Sequence, residues 1–451
     1  MIAAARVAAF DILTAVSSSD IDLASAIDRG RARLGEARDR ALATEIALGV
    51  QRARGTLDYL IGHFSNRAID QLDPEVLQIL RLSAYQLLHL TRVPASAIVD
   101  DAVKLSRHVR KASASGLVNA VLRALSRARR QLPLPTRPAD RSDREQMIAY
   151  LSVTLSHPRW LVERWLDRLG FERTEAWLAF NNGAAPLTLR ANTLRTTAPL
   201  LRTKLEAIGI ATTPGRYAPH ALLVERGQDL GALPSLASEF VAQDEASQLV
   251  PLLAGPAPGR RVLDACASPG GKTIAMAAAM PPSGLIVACD LRERRMRLLR
   301  QTVAVAGAEQ VRLVRVDFRS PPPFKPSFDC VLVDAPCSGL GVLRREPDIK
   351  WRRQAAHLQD FADRQLQMLQ RAAEVVAPGG RLVYATCSSE SIENEDVARR
   401  FAAGRPGFRH VDAGTCHPSL PPEVVDDSGD LRTTPDQHGL EAFFGTVFQR
   451  L

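Results

Sequence analysis

Apolar residues in the first 130 positions recur at the spacing of an α-helix. In one stretch they fall on a single helical face, at Val76, Ile79, Leu80, Ala84, Leu87 and Leu88. Asp73 and Pro74 come directly before this stretch, and an Asp followed by a Pro is a common way to cap and begin a helix. Because no strand pattern interrupts the repeat, we expect residues 1–130 to form an all-α bundle.

The pattern changes after this bundle. Closely spaced prolines predict a linker at residues 131–142. Helical segments follow, and then short strands at Leu187–Ala191 and Ala221–Val224 flank a helix at Thr197–Ile208. Residues 143–239 are therefore expected to form a small α+β module.

From about residue 240 onwards, apolar strand patterns alternate regularly with helical ones. The predicted strands begin at Arg261, Leu285, Val311, Val331 and Leu382. Such alternation is typical of a parallel, doubly wound sheet. We therefore expect a Rossmann-like α/β domain over residues 240–451, with its ligands beyond the carboxyl ends of the strands.

The composition of the 451 residues narrows the choice of partners and compartment. The net charge of +9 favours a polyanion such as nucleic acid, although a generally Arg-rich proteome gives the same excess. No apolar run approaches the length of a membrane span, so that we expect no membrane partner. The six cysteines all lie at or beyond Cys266 and lack metal-ligand spacing. Reduced thiols, no metal and a cytoplasmic location are expected.

A glycine-containing loop, Ala265–Thr273, follows the first strand of the α/β domain, and three cofactors compete for it. A P-loop needs glycine where Cys266 stands, and the dinucleotide pattern G-x-G-x-x-G is absent. The third candidate, S-adenosylmethionine, needs a carboxylate for its ribose hydroxyls, and Asp290 ends the next strand. Asp317 ends the third strand and suits the adenine amino group. The acids in register favour S-adenosylmethionine.

Two cysteines stand just beyond the ends of two predicted strands. Cys337 follows the strand that begins at Val331, and Cys387 follows the one that begins at Leu382. A thiolate is a strong nucleophile and a fair leaving group, and Asp334 adds a carboxyl group three residues before Cys337. These side chains predict a reaction centre that uses sulfur as its nucleophile.

Several segments of the α/β domain resemble the RNA cytosine-C5 methyltransferases of the NOL/NOP/Sun family. They are Asp264–Thr273, Asp334–Gly341, Arg344–Trp351 and Tyr384–Ser388, together with Gln243–Leu249. The segments Asp39–Ala41, Leu80–Leu87 and Gly116–Arg123 resemble the helical domain of the antiterminator NusB. The combination is similar to the bacterial small-subunit rRNA enzymes of the Sun type, and the resemblance covers nearly the whole chain.

The resemblance implies a monomer built of a NusB-like bundle, a small α+β module and a class I methyltransferase domain. It implies S-adenosyl-L-methionine as methyl donor, held by Cys266, Ala267, Ser268, Pro269, Gly270, Gly271, Lys272, Asp290, Asp317 and Asp334. The implied substrate is a cytosine of small-subunit (16S) rRNA, unassembled or partly assembled. Lys272 is also expected near the reacting base.

The implied chemistry explains why two thiols and an acid are needed. A thiolate adds to C6 of cytosine and makes C5 nucleophilic towards the methyl group; a base then removes the C5 proton and the thiolate leaves. Asp334 can stabilise the adduct near N3. The residues alone do not decide which cysteine attacks. The resemblance assigns attack to Cys387 and assistance in product release to Cys337.

A basic stretch follows the Cys337 loop and contains one tryptophan. Its cations are Arg344, Arg345, Lys350, Arg352 and Arg353, and they surround Trp351. Cations beside a stacking aromatic suit a looped-out RNA base, and we favour this interpretation over a surface loop packed by its tryptophan.

Other functions compete with methyl transfer as interpretations of the sequence. The helical bundle and the small module are expected to bind RNA, while a scaffold or dimerisation role is the alternative for the bundle. A catalytically idle RNA-binding assembly factor has no need of Cys337, Cys387 and Asp334 together. A P-loop NTPase is disfavoured by Cys266 at the first glycine position.

Overall fold

A computed structural model describes residues 2–18, 21–91, 93–228, 230–255, 261–281 and 283–451. The chain forms two compact units. The first comprises Met1–Gly183 and Leu343–Arg353, and the second comprises Ala184–Val342 and Gln354–Leu451. Residues 143–183, grouped with the small module in the sequence analysis, lie within the first unit by their contacts.

The first unit is helical. Its helices before residue 184 are α1 Ala4–Ser18, α2 Leu23–Arg31, α3 Ala37–Ser65, α4 Pro74–His89, α5 Ala95–His108, α6 Ser115–Ala128, α7 Arg144–Ala149, α8 Arg159–Leu169 and α9 Phe171–Asn182. Asp73 caps α4 by accepting hydrogen bonds from the N–H groups of Glu75 and Val76, and Pro74 begins the helix as predicted. A π-helical turn at Tyr150–Thr154 extends α7.

The core of this unit is the apolar stripe that the helical spacing predicts. Leu57 of α3, Leu80 of α4 and Leu122 of α6 are each fully buried in it. Burial of such stripes is what stabilises helices of this length. The buried Arg6 guanidinium is satisfied by Asp101 and Gln86, which removes the cost of an unpaired charge in the core.

A four-stranded antiparallel sheet forms the beginning of the second unit. Its strands are β1 Thr188–Ala191, β2 Thr212–Pro214, β3 Ala221–Val224 and β4 Phe240–Ala242, in the order β2-β3-β1-β4. Helix α10, Ala198–Ala207, covers the sheet and buries Leu201 and Leu205 against Leu189 and Leu222. The sequence predicts β1, α10 and β3 but misses β2 and β4, because three residues are too few to show alternation.

The larger sheet of the second unit is Rossmann-like. Its strands are β5 Arg261–Asp264, β6 Leu285–Asp290, β7 Val311–Arg315, β8 Phe328–Asp334, β9 Val376–Thr386, β10 Phe408–Val411, β11 Leu431–Thr433 and β12 Phe443–Arg450. The order is β10-β12-β9-β8-β5-β6-β7, and β11 pairs with β12. The five strands from β5 to β9 run parallel, whereas β12 lies antiparallel to β9.

The remaining helices follow from residue 245 onwards. They are α11 Glu245–Leu249, α12 Gly271–Ala279, α13 Glu293–Ala306, α14 Ile349–Arg352, α15 His357–Ala373, α16 Glu395–Gly404 and α17 Pro435–His438. Short 3₁₀ turns lie at Ile69–Gln71, Ala112–Ala114, Leu233–Leu236, Val250–Ala254, Ser391–Glu393, Ala413–Thr415 and Pro422–Val424. Of these elements, α14 and the turns Ile69–Gln71 and Ala112–Ala114 belong to the first unit.

The parallel strands β5, β6 and β8 are largely buried on both faces, which explains their apolar sequences. Along β8, Leu332 packs into the core on one face, while Val331 and Val333 pack into the core on the other. The strand order reverses at β5, which has β6 on one side and β8 on the other. Ligands of such sheets bind at this reversal, beyond the carboxyl ends of the strands. The loops after β5 and β8 therefore define the candidate site.

Candidate active site

The loop after β5 turns sharply into α12. Gly270 has a φ of +112°, and α12 begins at Gly271. A Cβ atom at Gly270 would lie 3.0 Å from Leu299 Cδ1, so that both the conformation and the packing favour glycine. Thr273 Oγ1 donates to Asp264 Oδ2 at 2.7 Å and ties the two ends of the loop together. Burial raises the pKa of Asp264 to about 7.

Asp290 is the last residue of β6, and one of its carboxylate oxygens accepts no hydrogen bond from the described residues. Its Oδ1 accepts a hydrogen bond from the N–H of Arg292, while Oδ2 is buried and has no hydrogen-bond partner among the described residues. The Arg295 guanidinium lies 3.8 Å from Oδ2, beyond hydrogen-bond distance. A buried acceptor without a donor is costly, and a ribose hydroxyl would satisfy it. This atom and the glycine turn fit S-adenosylmethionine.

Asp317 lies two residues beyond β7 and is already paired. Its carboxylate accepts hydrogen bonds from the guanidinium of Arg319 at 2.7 and 2.9 Å, and this pairing lowers the pKa of Asp317. Cys266 differs, because burial raises the pKa of its thiol well above the usual range and keeps it neutral. Next to it, the N–H of Ala267 donates to the carbonyl of Cys289 at 2.8 Å and fixes the loop against β6.

Cys337 and Cys387 meet because β8 and β9 are neighbouring parallel strands. Asp334 stands opposite Ala385 in the register of the two strands, and the N–H of Ala335 donates to the carbonyl of Ala385 at 2.8 Å. Both cysteines lie just beyond this last contact. Their Sγ atoms are 3.1 Å apart, and both are free thiols.

The glycine loop and the cysteine loops share one ion pair. Lys272 Nζ donates to Asp334 Oδ2 at 2.6 Å. Burial alone would lower the pKa of Lys272, but Asp334 and Cys387 outweigh it and raise that pKa above the usual value. The hydrogen bond with Cys387, together with burial, raises the pKa of Cys337 well above its usual range. The site therefore contains a protonated lysine and a protonated thiol.

A cavity of about 400 Å³ opens beside this ion pair. Lys272, Asp334 and Gly271 line it, and it extends to Gln243 and Phe240. The cavity therefore lies between the small sheet and the glycine loop and reaches Asp334 at the end of β8, but not Asp290 or Asp317.

One cation of the basic stretch around Trp351, Lys350, does not have the role expected of it. The Lys350 side chain is buried in the first unit, and its Nζ donates to the carbonyls of Arg52 at 2.8 Å and Ser156 at 2.7 Å and to Asn182 Oδ1 at 3.2 Å. Trp351 Nε1 donates to the carbonyl of Gln51 at 2.7 Å. The expectation that Lys350 contacts RNA is wrong, because all three of its donors are used inside the unit. The segment is packed by its tryptophan.

Sequence reasoning missed a buried carboxylate behind the two cysteines. Glu393 is fully buried and accepts hydrogen bonds from Ser338 and Ser388, the residues that follow Cys337 and Cys387. The serine after each cysteine was the only signal available in the sequence. No spacing rule connects these serines to a glutamate more than 50 residues beyond Ser338.

Two kinds of feature are missing from the part of the chain that the structure describes. No helix there is long and apolar enough to cross a membrane. No group of three or more His, Cys, Asp or Glu side chains there is arranged to hold a metal ion.

Family models match three parts of the chain. The model described as 16S rRNA methyltransferase RsmB/F matches residues 251–449, and that of the NusB family matches residues 3–127. A third, described as the ferredoxin-like domain of RsmF/B-like methyltransferases, matches residues 157–231. The expected combination of a NusB-like bundle, a small α+β module and a Rossmann-like methyltransferase domain is confirmed.

Relatives of known name match over most of their length. "Probable ribosomal RNA small subunit methyltransferase B" of Bacillus subtilis is 33% identical, over 90% of this chain and 89% of the relative. "Ribosomal RNA small subunit methyltransferase B" of Pseudomonas putida is 34% identical, over 91% of each chain. The crystal structure of PH0851 shares the fold with a TM-score of 0.83 at 24% identity, over 100% of this chain and 99% of that one. The methyl donor of the present chain is S-adenosylmethionine, as expected, and the chain belongs to the RsmB/F family of small-subunit rRNA methyltransferases.

Proposed function

We propose that the protein methylates C5 of a cytosine in small-subunit (16S) rRNA through a covalent adduct between Cys387 and C6. The observation that carries the proposal is the contact of 3.1 Å between the Sγ atoms of Cys387 and Cys337, beside the ion pair of Lys272 and Asp334. Methylation at an amino or hydroxyl group of RNA needs no thiol, whereas C5 of cytosine must first be activated by a nucleophile. Two thiols at one sheet edge fit that requirement.

The unequal surroundings of the two thiols support Cys387 as the nucleophile. Only a thiolate attacks, and the raised pKa of Cys337 keeps that thiol protonated. Lys272, held protonated by Asp334, places a positive charge beside the centre where a thiolate must form. Cys387 therefore adds to C6, and the electron pair of the C5–C6 bond moves to make C5 nucleophilic.

The same contact explains how Cys337 assists product release. The hydrogen bond with Cys387 is the largest cause of the raised pKa of Cys337. Once Cys387 is bonded to C6, that sulfur is no longer a thiol partner and the pKa of Cys337 falls. Cys337 then loses its proton to water, and its thiolate takes the C5 proton. The electrons of the C5–H bond restore the C5–C6 double bond, the C6–S bond breaks and Cys387 leaves as a thiolate.

Different carboxylates would hold different parts of S-adenosylmethionine. S-adenosylmethionine supplies an electrophilic methyl group when it is bound. Asp290 would hold its ribose hydroxyls through the unpaired Oδ2, Asp317 its adenine amino group, and the loop from Cys266 to Lys272 its amino-acid portion. Asp334 orients Lys272 and would stabilise the base at N3.

The proposed partner is small-subunit rRNA, unassembled or partly assembled, bound by a monomer in the cytoplasm. The named relatives of Bacillus subtilis and Pseudomonas putida are small-subunit rRNA methyltransferases, and the net charge of +9 favours a polyanion. All six cysteines are free, as a reducing compartment requires.

Covalent trapping tests the proposal. The full chain is incubated with 16S rRNA and S-adenosylmethionine, and RNA adducts are resolved on a denaturing gel. Cys337→Ala should accumulate an adduct, Cys387→Ala should form none, and the control Cys416→Ala should turn over as the wild type does. A stable adduct in Cys387→Ala would contradict the assignment.

The substrate is tested separately by bisulfite mapping of RNA from a deletion strain. Loss of one methylated cytosine in small-subunit rRNA is expected. Unchanged rRNA together with a lost mark in tRNA would overturn the choice of substrate.

A further inference from the structure

The turns that carry Cys337 and Cys387 converge on one buried carboxylate. Glu393 Oε2 accepts hydrogen bonds from Ser388 Oγ at 2.6 Å and from Ser338 Oγ at 2.5 Å. Its Oε1 accepts one from the N–H of Ser338 at 2.8 Å. Because each serine directly follows its cysteine, the carboxylate links the two cysteine turns at equivalent positions.

A glutamine extends the same link to the other side of Cys337. Gln365 Nε2 donates to Glu393 Oε1 and to the carbonyl of Pro336, both at 3.0 Å. Pro336 comes directly before Cys337. The residues on both sides of this cysteine are thus held by a network centred on Glu393.

The two serine hydroxyls also lie within hydrogen-bond distance of each other, with 3.2 Å between their Oγ atoms. Ser338 Oγ accepts from the N–H of Leu340, and Ser388 Oγ accepts from the N–H of Glu390 at 3.1 Å. The carboxylate of Glu393 thus faces four donor groups, which are the two serine hydroxyls, the N–H of Ser338 and Nε2 of Gln365. A carboxylate can accept from them with both oxygens, whereas an amide accepts with one atom and donates with the other.

The backbone around Glu393 is anchored to the end of β9 as well. Tyr384 Oη donates to the carbonyl of Glu393, and Asn394 Nδ2 donates to the carbonyl of Ser388 at 3.0 Å. Glu393 and Tyr384 are both fully buried. The carboxylate therefore cannot move independently of the strand that delivers Cys387.

We propose that Glu393 is a positioning residue that fixes the distance between the Cys337 and Cys387 sulfur atoms. The inference rests on the proposed function, because the adduct is formed by one thiol and resolved by the other. Glu393 lies behind both turns, and it acts through Ser338 and Ser388 rather than on the base.

Cross-linking of the two thiols measures this distance without any methyl transfer. Dibromobimane alkylates two nearby thiols, forming two S–C bonds with loss of two bromides, and becomes fluorescent. In the wild type the Cys337–Cys387 link should form rapidly, as identified by peptide mass spectrometry, and Cys337→Ser should not form it. Glu393→Gln places N–H donors against the serine and glutamine donors, and the rate should fall about tenfold. The control Glu374→Gln, at a half-buried glutamate directly after α15, should keep the wild-type rate.

Milder variants keep the proposal open to refutation if Glu393→Gln does not fold. Ser338→Ala and Ser388→Ala each remove one link, and the double variant, once thermal unfolding shows that it is folded, should cross-link about tenfold more slowly. In folded variants kcat for rRNA should fall while KM is unchanged. Wild-type cross-linking in folded Glu393→Gln, or in the double serine variant, would overturn the proposal. Slow cross-linking in these variants, with no rRNA methylation by the wild type, would instead overturn only the proposed function.

Discussion

Lys272 Nζ lies 2.6 Å from Asp334 Oδ2 and joins the loop after β5 to the loop after β8. The pair is mostly buried, with 13% of the lysine side chain and 27% of the aspartate side chain exposed. Removing one partner of such a pair leaves the other charge uncompensated. The pair thus couples the glycine loop to the reaction centre.

Replacing Lys272 tests whether its charge serves the reaction. Lys272→Met should lower the single-turnover rate of methylation by about 10² to 10³-fold, because a positive charge beside the developing thiolate is lost. The exposed Lys325→Met is the control and should react at the wild-type rate. Lys272→Met within threefold of the wild type would contradict this role for the charge.

Asp290 and Asp317 should contribute unequally to cofactor binding. Asp290→Asn should weaken S-adenosylmethionine binding by about 10 to 100-fold, because the unpaired Oδ2 is the acceptor available for ribose. Asp317→Asn should weaken it less, since Arg319 already occupies that carboxylate. Isothermal titration calorimetry on the three proteins gives the order. A larger loss in Asp317→Asn would reverse the assignment of the two acids.

The buried Asp264 makes stability depend on pH. Its pKa is raised from 3.8 to about 7, so that between these values the folded state binds a proton that the unfolded state has lost. The stability that protonated Asp264 gives the folded state is fully present below pH 4 and is lost as the pH rises to 7. Between pH 5 and pH 8, the wild type should therefore lose up to about 3 kcal/mol in free energy of unfolding that Asp264→Asn does not lose.

The measurement is urea unfolding at both pH values, because comparing the two proteins cancels the titration of all other groups. The exposed Asp360→Asn should show the pH dependence of the wild type. Parallel curves for Asp264→Asn and the wild type would show that Asp264 titrates normally.

Lys350 should matter for stability rather than for RNA affinity. Lys350→Met leaves the carbonyls of Arg52 and Ser156 without their donor and should cost about 3 kcal/mol in the free energy of unfolding. Lys104→Met, on a surface helix of the same unit, should cost less than about 1 kcal/mol. A Lys350→Met protein that is as stable as the wild type but binds RNA more weakly would instead support a contact between Lys350 and RNA.

The sequence predicts those site residues that directly follow a strand. Apolar runs identify β5, β6, β7, β8 and β9, and parallel strands deliver the residues that follow them to one sheet edge. The nearness of Cys337, Cys387 and Asp334 therefore follows from two local patterns, the end of β8 and the end of β9. The thiol contact itself needs only the pairing of β8 with β9.

The parts that the sequence does not reveal depend on groups distant along the chain. Lys350 looks like one cation of a basic surface stretch, because nothing local shows that the carbonyls of Arg52 and Ser156 converge on it. Glu393 looks like a surface acid near the start of α16. Its four donors come from the turns after β8 and β9 and from α15, which the fold alone brings together.

The segment Leu343–Arg353 belongs to the first unit although the second unit supplies the chain on both sides of it. Because the chain is synthesised from the N-terminus, the helical unit is incomplete until residue 353 has been translated. A fragment that stops at residue 183 would leave the carbonyls of Arg52 and Ser156 without the lysine that joins them. The helical unit is therefore expected to mature late in translation, and a gene cut between its apparent domains would encode an incomplete piece.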